Sequence, residues 1–136
     1  MKRHPRVRDL LRGPPIVLAA GMDIRRAVQV LLDEDISGAP VVDGQGRLVG
    51  ILTERDCIRV AVAAGYYDEP GGPVSDFMSR EVETVGPELS LMDLAQRLIG
   101  APYRRFPVVE EGRLVGLVGR RDVLRAIHEL PGWQGP

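Results

Sequence analysis

The chain repeats itself, and that constrains its fold more than any other feature. VRDLL from Val7 leads to GAPVVDGQGRLVGILTERDCIRV, and VSDFM from Val74 leads to RFPVVEEGRLVGLVGRRDVLRA. The offset is 67 residues up to Pro40/Pro107 and 66 after a one-residue difference in a turn, where DGQGR faces EEGR. Identities at matched positions include Asp9/Asp76, Gln29/Gln96, Leu31/Leu98, Gly46–Gly50 against Gly112–Gly116, Arg55-Asp56/Arg121-Asp122 and Arg59/Arg125. A repeat missed at this stage would misassign the fold. The 136 residues are therefore two half-domains of about 60 residues, a size marginal alone, so a shared core is expected.

Each half shows one order of elements. Short strands are expected at residues 15–18 and 82–85. A helix follows in each half. Ile24, Ala27, Val28, Leu31 and Leu32 make one apolar face behind an Asp23 cap; Leu91, Leu94, Ala95 and Leu98 make the other behind Ser90, with Asp93 at the capping-box position. Then come two hairpins. Residues 39–42 and 48–52 flank the turn at 43–46; residues 106–109 and 114–118 flank Glu111-Gly112. Their continuous β-branched runs suit strands buried on both faces. A closing helix starts near Glu54 in one half and Arg120 in the other. The expected organisation is a basic arm at 1–6, repeat one at 7–64, a linker at 65–73, repeat two at 74–130 and a tail at 131–136.

Composition removes several function classes. Lys plus Arg total 18 against 19 Asp plus Glu, a formal charge of −1, which is not the concentrated positive charge of a nucleic-acid binder. The single cysteine, Cys57, excludes an intramolecular disulfide and a multi-thiolate zinc site. His4 and His128 form no ligand spacing, so no metal site is expected. No stretch reaches the roughly 18 apolar residues of a membrane span and no signal-type core follows the basic start, so the cytoplasm is the expected compartment. Residues 1–12 hold five basic side chains and Asp9, a local +4. That arm could touch RNA, DNA or an acidic partner, or simply be solvated.

Thr53 and Asp56 stand where the third strand meets the last helix of the first half. A helix N-terminus offers unpaired N–H groups and the positive end of the dipole, a seat for phosphate. A carboxylate there suits the two hydroxyls of a ribose. From the residues alone a purely structural role, with Thr53 capping and Asp56 complementing the dipole, is the favoured reading. Cys57 reads as a packed thiol.

Two tandem β-α-β-β-α units, carried by PVVDGQGRLVGILTERD and PVVEEGRLVGLVGRRD with VRDLL and VSDFM upstream, resemble a pair of CBS domains, the Bateman module. The resemblance covers about residues 7–130. It implies an α+β fold in which two CBS repeats pack about a pseudo-twofold axis and form two clefts. Site one would combine Thr53 and Asp56 with Thr84, Val85, Tyr103, Arg104 and Arg105. Tyr103 would cover a purine face, and an arginine fork would reach phosphate. Site two would combine Asp122 with Val17, Ile36 and Ser37. There Gly119 replaces the pattern's Thr or Ser, so site one is expected to be the better nucleotide site.

The resemblance implies a stand-alone regulatory module, not an enzyme. It would bind AMP, ADP, ATP or S-adenosylmethionine as a regulatory ligand, with no catalytic cofactor. It would form homodimers through helix faces such as Ile58, Ala61 and Val62, or Val123, Leu124 and Ile127. The competing readings are a ligand-free dimerisation scaffold and nucleic-acid binding through the basic arm with Arg104-Arg105 and Arg120-Arg121.

Overall fold

A computed structural model describes residues 4–65, 71–102 and 104–133. Its elements run α1 (Val7–Leu10), β1 (Leu18–Ala19), α2 (Ile24–Asp33), β2 (Gly38–Val42), β3 (Leu48–Thr53), α3 (Glu54–Ala64), a 3-10 turn (Val74–Asp76), α4 (Leu91–Gly100), β4 (Arg105–Glu110), β5 (Arg113–Gly119) and α5 (Arg120–His128). The chain divides into two compact units: residues 16–82 form one, and residues 1–15 with 83–136 form the other. The leading segment of each sequence repeat therefore packs in the unit built by the other repeat.

In the 16–82 unit, β1 runs parallel to β2 and β2 antiparallel to β3. Leu18, Ile24, Leu31, Val41 and Leu52 are among the residues that form its core, joined by Val74 and Met78 from the later segment. That segment is held by backbone as well. Ile51 and Ser79 exchange N–H···O bonds of 2.9 Å each, and Ile24 N–H donates to the Gly72 carbonyl at 2.9 Å. Asp23 caps α2, accepting from Arg25 N–H at 2.8 Å.

In the other unit β4 pairs antiparallel with β5. Val7 and Leu10 join Val85, Leu91, Leu94, Leu98, Phe106, Val108 and Val118 in one core. The N-terminal segment is fixed by Val7 N–H to the Leu89 carbonyl at 2.8 Å and Leu91 N–H to the Pro5 carbonyl at 3.0 Å. The strand expected at 82–85 shrinks to a single parallel bridge between Val85 and Val108. Glu81 and Glu83 are exposed, so only the Val85 end of that run has a face to bury.

One glycine of each LVG motif has a physical cause here. A Cβ at Gly50 would lie 2.5 Å from Met78 Sδ and 2.7 Å from the Ser79 carbonyl oxygen, and one at Gly116 would lie 2.5 Å from Leu11 Cδ2. Met78 and Leu11 are the fifth residues of VSDFM and VRDLL. The leading segment thus lies directly on the bare glycine of the strand it crosses.

Candidate functional site

The two helix N-termini that carry the matched aspartates of the repeat, Asp56 and Asp122, are built alike in backbone but not in side chains. At α3, Thr53 and Asp56 form a reciprocal cap. Thr53 N–H donates to Asp56 Oδ2 at 2.9 Å, the Thr53 hydroxyl donates to the same oxygen at 3.0 Å, and Asp56 N–H donates to Thr53 Oγ1 at 3.2 Å. Both side chains are half-buried. At α5, Gly119 N–H donates to Asp122 Oδ2 at 2.8 Å, and Asp122 Oδ1 accepts from Arg125 Nη1 at 3.3 Å.

The expected site residues are divided between the units. Thr53, Asp56, Val17, Ile36 and Ser37 belong to the 16–82 unit. There Glu54 N–H donates to the Ser37 carbonyl at 2.9 Å, so the start of β2 and the start of α3 are adjacent. Val17 and Ser37 are exposed, and Ile36 packs on the core. Asp122, Thr84, Val85, Arg104 and Arg105 belong to the other unit. Arg120 N–H donates to the Arg104 carbonyl at 3.3 Å, and Arg105 is the ladder partner of Gly119. Arg104 and Arg105 are exposed, whereas Val85 is a core residue. Tyr103 lies outside the described residues.

Sequence reasoning missed one cleft. A cavity of about 360 Å³ is lined by Asp9, Leu10, Arg12, Asp122, Arg125 and Glu129, among others. It lies between the N-terminal segment and one face of α5, where Asp122, Arg125 and Glu129 follow at three- and four-residue steps. The helix spacing was readable; the segment that completes the cleft comes from the far end of the chain.

The basic arm is partly neutralised. Arg8 Nε donates to Glu88 at 2.9 Å and Arg8 Nη2 to Glu110 at 3.1 Å, while Arg6 donates to the Glu88 carbonyl at 2.6 Å. Exposed pairs of this kind contribute little individually, but they occupy charge that would otherwise meet phosphate. Lys2 and Arg3 lie outside the described residues. Burial, then the charges of Asp56 and Glu54, push the Cys57 thiol above its ordinary pKa, so it is not an activated nucleophile. Among the described residues no group of three His, Cys, Asp or Glu is placed to hold a metal ion, and no helix is long and apolar enough to cross a membrane.

The CBS domain model matches residues 7–63 and again 74–129. The chain belongs to the CBS domain family. It is 32% identical over 121 residues to the uncharacterized protein MJ1225 of Methanocaldococcus jannaschii, covering 89% of this chain and 42% of that protein. It is 32% identical over 124 residues to the CBS domain-containing protein YhcV of Bacillus subtilis, covering 91% and 85%. The chain thus spans under half of one such relative and most of another; it spans only 14% of an A-adding tRNA nucleotidyltransferase of Aquifex aeolicus. Its fold is that of solved CBS pairs. CBSX2 in complex with AMP superposes with a TM-score of 0.76 at 26% identity, covering 90% of this chain and 95% of that one. The CBS pair of MJ0100 in complex with 5′-methylthioadenosine and S-adenosyl-L-methionine gives 0.72 at 27% identity, covering the same shares.

Proposed function

We propose that this chain is a non-catalytic regulatory module that binds an adenosine-type nucleotide and passes the binding event to a partner or a second copy. The observation that carries the reading is Asp122. Its Oδ2 accepts the Gly119 N–H at the start of α5, its Oδ1 accepts from the Arg125 guanidinium, and it lines the 360 Å³ cleft with Arg12 and Arg125. That volume falls within the roughly 300–1,000 Å³ of ligand pockets. An ionised carboxylate only accepts hydrogen bonds, so it is matched to ribose hydroxyls, and the arginines are matched to phosphate. Asp56 offers the same carboxylate at α3. The AMP and S-adenosylmethionine complexes of similar CBS pairs support the ligand class.

Titration calorimetry with AMP, ATP and S-adenosylmethionine tests the proposal. Wild type should bind at least one of them saturably. Asp122→Ala should lower affinity for a bound nucleotide by about tenfold to a hundredfold, the scale of a lost hydrogen bond to a charged group, with an unchanged circular dichroism spectrum. No saturable binding of any of the three by wild type would overturn it.

Self-association is the second part of the proposal. On α3, Ile58 is 64% and Val62 75% exposed, and they line a shallow groove with Arg55, Arg59 and Ala63. Of the other expected face, Val123 is buried in its own core and Ile127 packs against it, leaving Leu124 exposed. Sedimentation should give twice the 14.9 kDa chain mass, and Val62→Asp should give the monomer. A monomeric wild type would remove this part.

A further inference from the structure

The leading segments of the two repeats dock alike at their first residues and differently at their last. Val7 N–H donates to the Leu89 carbonyl and Arg8 N–H to the Pro87 carbonyl, at 2.8 Å each. At the matching positions Val74 donates to Met22 at 2.8 Å and Ser75 to Ala20 at 3.0 Å. Further along, Ser79 exchanges two backbone bonds with Ile51. Arg12 and Leu117 occupy the same two positions of the repeat and exchange none. Gly13, Pro14 and Pro15 follow Arg12, and the prolines have no N–H to donate. Among the described residues, 13–16 make no backbone hydrogen bond. The N-terminal segment is thus fastened around Val7 and Arg8 and unfastened beyond Leu10.

The unfastened end is the one that walls the cleft. Asp9, Leu10 and Arg12 stand on one side of the 360 Å³ space, and Asp122, Arg125 and Glu129 of α5 on the other. Neither wall encloses the space alone, so a ligand there is held best when the segment is seated. A ligand with different affinities for two states shifts the balance between them, and by linkage the seated state binds the ligand more tightly in return. The remaining holds on the segment are modest. The ion pairs of Arg8 with Glu88 and Glu110 are exposed, and such pairs contribute little singly. Parts of a fold held this lightly open at free energies below that of the whole domain.

We propose that residues 4–12 form a strap that closes on a ligand in this cleft, so that occupation of the cleft and seating of the segment stabilise each other. This rests on the nucleotide-binding reading above and adds to it the element that changes state when the cleft fills.

Hydrogen exchange of the full chain, followed by NMR, tests it. The Val7, Arg8 and Leu91 amides report on seating, since they donate to Leu89, Pro87 and Pro5. Without ligand they should exchange faster than the Val85 and Val109 amides, which bond within the sheet of the same unit. The tightest binder of AMP, ATP and S-adenosylmethionine, added at a hundred times its dissociation constant, should slow the three by at least about tenfold, against a limit of about a hundredfold set by mass action. Asp122→Ala, on the α5 wall, should reduce that slowing in proportion to its loss of affinity. Seating amides that exchange no faster than Val85 and Val109 without ligand overturn the strap, because the segment then opens only with the whole unit. Saturable binding without slowing, or equal slowing in Asp122→Ala, overturns the strap and leaves nucleotide binding standing. Binding of none of the three by wild type overturns both together.

Discussion

Replacing Gly50 with valine should destabilise the 16–82 unit by about 3 kcal/mol or more, whereas the same change at Gly116 should cost distinctly less. Both glycines sit in GRLVG, and sequence alone treats them as equivalent. What covers them differs. A Cβ at Gly50 meets Met78 Sδ, Met78 Cγ at 2.9 Å and the Ser79 carbonyl oxygen at 2.7 Å. A side-chain end can rotate away, but a backbone carbonyl cannot move without its neighbours. Moving Ser79 breaks the two 2.9 Å bonds it exchanges with Ile51, each worth about 1 kcal/mol net, and pulls Met78 from the core. Overpacking itself adds about 1–3 kcal/mol. At Gly116 all three near atoms belong to the Leu11 side chain, which is only half-buried and can yield. Urea denaturation followed by circular dichroism measures both. Equal losses at the two positions would show that Ser79 does not hold the segment.

The contrast marks what the sequence can and cannot carry. Local features were legible. The apolar face of residues 24–32 became α2, ending at Asp33, and the i,i+3 spacing of Thr53 and Asp56 became a reciprocal cap, because both depend on residues within one turn of each other. The hairpins were legible because a turn joins their strands directly. The exchange of leading segments was not. VRDLL and VSDFM show which residues must be buried, but an apolar stripe does not state whose sheet buries it. For the same reason Arg6 and Arg8 read as a loose basic arm, since their partners Glu88 and Glu110 lie 80 or more positions away. At the site, the Asp positions followed from the repeat, but the opposition of Arg105 to Gly119 needed the strand register. That register shifts at Val108/Val109 in one hairpin and at Val41/Val42 in the other.

Phe106→Ala should cost about 3–5 kcal/mol, the range for emptying a buried phenylalanine site, even though the same position of the other repeat is already an alanine. Phe106 is fully buried, and Ala39 nearly so. The two cores are filled from different sides. Where the Phe106 unit takes Leu10 and Leu11 from its crossing segment, the Ala39 unit takes Phe77 and Met78 at the matching positions. The large side chain is on the strand in one repeat and on the crossing segment in the other, and close-packed interiors conserve total volume rather than residue identity at one place. It follows that copying one repeat onto the other at a single position fails, and copying the linked set does better. Phe106→Ala alone should lower the urea midpoint sharply without changing the slope, the mark of altered stability in an unchanged transition. Adding Leu10→Phe and Leu11→Met should return part of the loss. If the triple variant is no more stable than Phe106→Ala, the crossing segment does not fill the space that the strand vacates, and the two cores are matched in some other way.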